Sequence, residues 1–234
     1  MDGHCAYIPN EVGSMSIEDA INEFKQVPSG FITDAMVRLG ISGWSEGVTP
    51  LSPTARRFAG RAITMKYGPK RGGGSKKLPN QYEVIRAAKP GDVLVLAAEG
   101  TPCWLLGENV CHTALYQGLA AVIVDGCVRD ADELAAMPMP VFARAAGIRP
   151  FSTHLELIDV NVPVEFAGTQ ICPGDIVCGD GDGIVVVAPE RAEDVRYQVK
   201  DIAALEEEQE KAIQDLASLE LLNKIIGRKK VVRK

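Results

Sequence analysis

The sequence predicts an α/β or α+β protein, built as one domain and followed by a long C-terminal helix. Three observations predict this. Two near-continuous apolar runs, Val93–Ala98 and Ala120–Val124, read as strands buried on both faces, with helical patterns around them. Strand patterns then cluster late in the chain behind Pro-Gly-Asp turns. Last, residues 191–224 hold a helical pattern with the acidic run Glu206–Glu210 inside it.

The elements follow in order. Residues 1–15 read as a loose leader. Ser16 and Asp19 form a capping pair ahead of Ile17, Ala20, Ile21 and Phe24 at helical spacing. Ser29–Gly40 reads as a second helix, with Ala35, Met36 and Leu39 on one face and Gly40 past its end. Residues 43–53 form a loop. Gly60–Met65 is a strand, and Gly68–Lys77 a flexible basic loop. Gln81–Lys89 is helical up to Pro90. Trp104–Tyr116 reads as one helix closed by Gly118. Pro140–Arg144 and Val160–Phe166 are short strands. Ile176–Cys178 and Ile184–Ala188 make a hairpin around Gly179–Gly183. Residues 228–234 are a basic tail. The expected organisation is a leader and helix over 1–28, a catalytic domain over 29–190, and a C-terminal helix and tail over 191–234, packed on the same domain or on a neighbouring subunit.

Composition narrows the function. The 234 residues carry 25 basic and 31 acidic side chains, a net charge of −6, with 46% hydrophobic residues. That is enough apolar material for a core, and the acidic balance argues against a nucleic-acid binder. No apolar run has the length of a membrane span, and Met1–Asn10 lacks the features of a signal peptide. Six cysteines without a CxxC pair are too sparse for a disulfide scaffold, so the expectation is a cytoplasmic protein with reduced thiols. With only His4, His112 and His154, a histidine-rich zinc site is excluded; oxygen ligands, and with them Mg²⁺ or Mn²⁺, are expected for any metal.

Several motifs dissolve on inspection. Gly68 and Gly73 have the spacing of a phosphate loop, but Gly74 stands where its lysine belongs. Lys70, Arg71, Lys76 and Lys77 leave two readings of that loop, a mobile surface segment or an anion-gripping lid. The run Gly179–Gly183 lacks the acidic pattern of a calcium loop. Cys103, Cys111 and His112 match no zinc spacing, and the cysteines read as buried structural residues on or beside a core helix. Lys66 ends a strand and reads as solvent-facing rather than as a Schiff-base lysine.

The strongest constellation is Leu105-Leu106-Gly107-Glu108, then a strand, then Arg129-Asp130. Arg129 offers a planar fork to a carboxylate or enolate, and Asp130 a hard oxygen ligand. Both follow a strand, at the edge where open α/β sheets bind ligands. Free N–H groups at the helix start suit an anion. A surface ion pair is the plain alternative.

At these residues the chain resembles the RraA-like family, which includes the class II aldolases of 4-hydroxy-4-methyl-2-oxoglutarate (HMG) and 4-carboxy-4-hydroxy-2-oxoadipate (CHA). The aldolase branch has an acidic residue, 20 spacer residues, then Arg-Asp; here these are Glu108 and Arg129-Asp130. The match extends through Thr33–Gly40, Gly60–Thr64, Pro90–Val95, Pro140–Arg144, Pro173–Val177 and Gly179–Val187. The resemblance implies an α/β/β sandwich of the swivelling-domain type, in trimers or hexamers with active sites between subunits. It implies a divalent-metal-dependent carbon–carbon lyase acting on a 2-oxo acid, by retro-aldol cleavage or oxaloacetate decarboxylation. Asp130 and Glu108 would hold Mg²⁺ or Mn²⁺. Arg129 and the backbone of Leu105, Leu106 and Gly107 would bind the pyruvate unit. Glu206, Glu207 or Glu210 of a neighbouring subunit would complete the site. Two departures stand out: Glu108 replaces the commoner Asp, and the basic loop replaces a short turn, so that Lys70 and Arg71 become candidate contacts to a bulkier anion. The alternatives are a lyase on another anionic substrate, or a non-catalytic binding protein resembling the ribonuclease regulators.

Overall fold

The structure is a computed structural model that describes residues 16–52, 57–70 and 77–233. The chain order is α1 (Ile17–Phe24), α2 (Ser29–Arg38), β1 (Thr49–Pro50), β2 (Phe58–Pro69), α3 (Gln81–Ala87), β3 (Val93–Ala97), β4 (Trp104–Leu106), α4 (Glu108–Gln117), β5 (Ala121–Val128), α5 (Ala131–Ala136) and β6 (Val141–Ala146). It continues through β7 (Leu155–Val160), β8 (Val164–Phe166), β9 (Thr169–Ile171), β10 (Ile176–Asp180), β11 (Gly183–Val187), α6 (Ala192–Gln214) and α7 (Leu219–Lys229).

The centre is a parallel sheet, β2-β3-β5-β6, extended by antiparallel β1 beside β6 and by β10-β11 beside β2. The segment 43–50 bonds to β11 through Val186 N to Gly43 O and Ser45 N to Ile184 O, and reaches β6 as β1. It thereby links the two outer strands, and the sheet is nearly closed.

Strand alternation explains why the central runs are apolar at every position. In β3, Val93, Val95 and Ala97 face the inside of the curled sheet, while Leu94 and Leu96 face the helices. In β5, Ala121 and Ile123 face inward and Val122 and Val124 outward. Both faces are dry, so neither tolerates a polar side chain. The inner core is completed by Phe58, Phe142, Phe166 and Val177. The outer core takes in Val84, Ile85, Val110, Cys111, Ala114 and Leu134 from α3, α4 and α5. A third cluster packs Phe24, Ile32, Met36, Val195, Val199 and Ile202 of α1, α2 and α6 on β10 and β11.

The hairpin turn between β10 and β11 anchors α2. Asp180 is buried and accepts from Ser29 N (2.8 Å) and Ser29 Oγ (2.7 Å), which satisfies an orphan amide at the start of that helix.

Four sequence expectations change. Trp104–Tyr116 is a short strand followed by a helix, because Gly107 is extended and opens α4. Val160–Phe166 is two strands, since Asn161 turns left-handed (φ 53°) between them. The C-terminal helix breaks at residues 215–218, where Leu216 has φ 51° and Ser218 caps α7. Arg228 and Lys229 thus belong to a helix rather than to the tail. Cys103, Cys111, Cys127 and Cys178 are free thiols as expected, whereas Cys172 is disulfide-bonded. Residues 1–15, including His4, lie outside the described residues.

Candidate functional site

Glu108 and Arg129-Asp130 meet because of how β5 is paired. β3 pairs with β5 from Val93↔Ala121 to Ala97↔Asp125 and then ends. β5 runs on to Val128, and β4 takes over the vacated side with Trp104↔Cys127 and Leu106↔Val128. The residues just past β4 and just past β5 therefore emerge side by side. Gly107 and Glu108 open α4 there, and Arg129 N donates to Leu106 O at 3.1 Å.

Asp130 sits in the left-handed region (φ 59°), which turns the chain out of β5 into α5. α4 has no capping side chain of its own. Asp130 serves it from across the turn, since Glu108 N donates to Asp130 Oδ2 at 3.0 Å. The positive end of the helix thus holds a carboxylate. Arg129 Nε lies 3.6 Å from the same oxygen, and the guanidinium lies over the Trp104 ring with Cζ 4.4 Å from its centroid. That contact supports the planar fork from one side. Trp104 is itself fixed by Nε1–H to Ile148 O (3.2 Å) and by an edge contact with Phe151.

Gly107 makes this packing possible. A Cβ there would lie 2.3 Å from Asp130 Oδ2 and 3.0 Å from Arg129 Cγ and Nε. The three groups remain open to a ligand, with side-chain exposures of 51% for Arg129, 37% for Asp130 and 41% for Glu108. The Cys111 thiol beneath is pushed up to about 12, by burial first and then by the charge of Asp130.

The structure separates the other sequence candidates. Leu105 and Leu106 are buried, so they offer backbone only. Lys70 follows β2 and donates its amide to His154 O, next to the turn that carries Phe151. Arg71 and Lys76 lie outside the described residues. Glu206, Glu207 and Glu210 are on α6, which packs on α1, α2 and α7 and not on α4 or β4. Glu206 pairs with Lys229, and all three line a groove beside Phe31. One chain does not bring them to Arg129.

Sequence reasoning missed two neighbours. Gln81 Nε2 donates to Leu105 O and to Tyr67 Oη, both at 2.8 Å, and so braces β4 from α3. His112 Nε2 lies 3.1 Å from Glu108 Oε1. The four-residue spacing of Glu108 and His112 on a helix was the available signal.

Comparisons with known proteins place the family and the fold. The family model described as RraA-like, Aldolase/RraA, matches residues 30–186. The chain belongs to the RraA-like family. A Halalkalibacterium halodurans protein named "Putative 4-hydroxy-4-methyl-2-oxoglutarate aldolase" is 32% identical over 199 residues, 84% of this chain and 90% of that one. Among solved structures, an uncharacterized protein from Pseudomonas syringae pv. tomato superposes with TM-score 0.77 at 27% identity, covering 88% of this chain and 97% of the other. Streptomyces coelicolor RraAS2, described as an unusual member of the RNase ES inhibitor RraA family, superposes with TM-score 0.72 at 27% identity, covering 85% and 98%. This RraA-like chain thus has the expected fold, a nearly closed α/β sheet with a helical C-terminal region.

Proposed function

We propose that this RraA-like protein is a divalent-metal-dependent lyase that breaks a carbon–carbon bond of a 2-oxo acid through a pyruvate enolate. The observation that carries the reading is the Arg129 guanidinium beside the Asp130 carboxylate that caps α4, with Glu108 in the first turn of that helix. The name of the Halalkalibacterium halodurans relative supports an aldolase substrate of the HMG class.

Arg129 binds the carboxylate or the developing enolate oxygen of the pyruvate unit with its fork, while Trp104 supports the guanidinium from behind. The amide end of α4 adds positive potential at the same place. Glu108 accepts the proton of the substrate hydroxyl, directly or through a water. As that proton leaves, the hydroxyl carbon becomes a carbonyl. The electron pair of the broken C–C bond then moves into the enolate. Loss of CO₂ from oxaloacetate leaves the same enolate, so decarboxylation follows from the same residues.

A divalent cation, when bound, supplies Lewis-acid polarisation of the keto oxygen. The donor set fits Mg²⁺ or Mn²⁺. Among the described residues no cluster of three acidic, histidine or cysteine side chains is present, but Asp130 Oδ1 accepts from no donor, Glu108 would add a second hard carboxylate, and such ions keep several waters beside one or two carboxylates. In a homotrimer or homohexamer, one of Glu206, Glu207 and Glu210 from a neighbouring copy would supply the remaining acid.

The test is pyruvate release from HMG, CHA and oxaloacetate with Mg²⁺ and with EDTA. Metal-dependent release from at least one is expected; no release from any refutes the reading. The likeness to RraAS2 supports a second reading, a binder of an endoribonuclease. Specific pull-down of such an enzyme, without lyase activity, would favour it.

A further inference from the structure

We infer that His112 is a positioning residue that holds the Glu108 carboxylate in its working rotamer. Glu108 and His112 lie one turn apart on α4, with Nε2 3.1 Å from Oε1. A carboxylate oxygen accepts, so the imidazole hydrogen of this contact is on Nε2. The ring is held from its other side by Tyr116, with centroids 5.7 Å apart and planes inclined by 18°.

Two features set this contact apart from an ordinary surface pair. Nδ1 is buried and has no hydrogen-bond partner among the described residues. An unpaired buried polar atom is unfavourable, so an apolar side chain would serve the fold better at this position. The site gains what the fold loses. Exposed glutamates are rotationally free, and Glu108 is 41% exposed. One oxygen tied to Nε2 leaves the other directed by the same bond, while the amide of Glu108 is tied to Asp130 Oδ2. The carboxylate is thus bonded at its side chain and, through Asp130, at its own amide. This arrangement confines its motion before any ligand arrives.

The inference rests on the lyase reading for its kinetic arm only; its metal arm is independent of turnover. The variants are H112F, which keeps the ring stack without the donor, and H112Q, which places an amide N–H near the position of Nε2. H112L is a second donor-less variant should H112F lose its fold by circular dichroism. Each is made alone and in an E108Q background. Mn²⁺ affinity is read from the free-ion electron paramagnetic resonance signal, and kcat and KM from pyruvate release. H112F is expected to weaken Mn²⁺ binding about 10-fold and to lower kcat by a similar factor, the low end for losing an outer-shell partner, with KM within about twofold. H112Q should recover most of both. In the E108Q background H112F should add nothing. The inference is overturned if H112F equals wild type, if H112Q is as poor as H112F, or if the loss persists without the Glu108 carboxylate. A wild-type protein that shows the Mn²⁺ pattern but releases no pyruvate sinks the lyase reading and leaves the positioning role standing.

Discussion

Gly107→Ala separates the site from the fold more cleanly than any other single change. Gly107 has φ −143°, extended backbone that alanine adopts without strain. The added methyl, however, would lie 2.3 Å from Asp130 Oδ2. A relaxed contact needs roughly 3.5 Å, so the carboxylate must move by about 1 Å. It then gives up the bond from Glu108 N, and Arg129, whose Cγ and Nε lie 3.0 Å from the same methyl, shifts with it. Both displaced groups belong to side chains that are more than a third exposed, and the shortest contact is with the end of one of them, so they move at little cost to stability. Catalysis is less forgiving, because a displacement of about 1 Å can cost on the order of 10²-fold in rate. The assay pairs pyruvate release with thermal unfolding. The expected result is a loss near 10²-fold in kcat/KM with a midpoint within a few degrees of wild type. A rate within about threefold of wild type would refute the argument that Asp130 and Arg129 act from these positions. Unfolding of the variant would refute the claim that Gly107 serves the site rather than the chain.

Three further outcomes follow. R129A should lose on the order of 10²-fold in turnover, and R129K should recover little of it, because lysine lacks both the fork and the planar stack on Trp104; steady-state kinetics on the best substrate checks both. One of E206Q, E207Q and E210Q should lower kcat about 10-fold or more, by analogy with losing an acid–base group; a triple variant with wild-type turnover removes α6 from the site. Burial raises the Asp175 carboxyl to about 6 from 3.8, so the folded state holds this proton more tightly than the unfolded chain. Its contribution is therefore fully present below pH ~4 and is lost as pH rises through ~6, by up to about 3 kcal/mol. D175N keeps the acceptor for Cys172 N and should flatten this part of the urea-midpoint profile between pH 4.5 and 8; an unchanged profile refutes the assignment.

The legible parts of the fold were those where local pattern and tertiary role coincide. The runs in β3 and β5 are apolar at every position because two dry cores flank them, and the run itself carries that information. β4 was illegible for the opposite reason. Trp104-Leu-Leu106 is three residues long, and only pairing to the overhang of β5 makes it a strand. The break before α7 depends on one left-handed residue, Leu216, a conformation its side chain gives no hint of. At the site, the 20-residue spacing already placed Glu108 with Arg129. Trp104 and Gln81 act through stacking and bracing contacts between elements, which no local motif records, whereas His112 meets Glu108 within α4 at a spacing the sequence does show.

Two arginine–aspartate pairs, one anchored within β5 and one just past its end, show what a motif alone leaves undecided. Asp125 lies within the strand and is completely buried. Its Oδ1 is paired with Arg144 Nε, and its Oδ2 accepts from Ala167 N at 3.2 Å. Both oxygens are committed to bonds that join β5, β6 and the β8–β9 turn. Replacing Arg144 leaves the buried Asp125 carboxylate without its charge partner, so this pair belongs to the architecture. Asp130, five residues on, is left-handed and more than a third exposed. One oxygen is engaged by Glu108 N, and the other has no donor among the described residues. Its neighbour Arg129 rests on an aromatic face instead of closing a tight ion pair. A pair built for stability would close that 3.6 Å gap and bury its carboxylate, as Asp125 does against Arg144. Arg129 and Asp130 are held apart, supported from behind and left open in front, which is the arrangement a ligand requires.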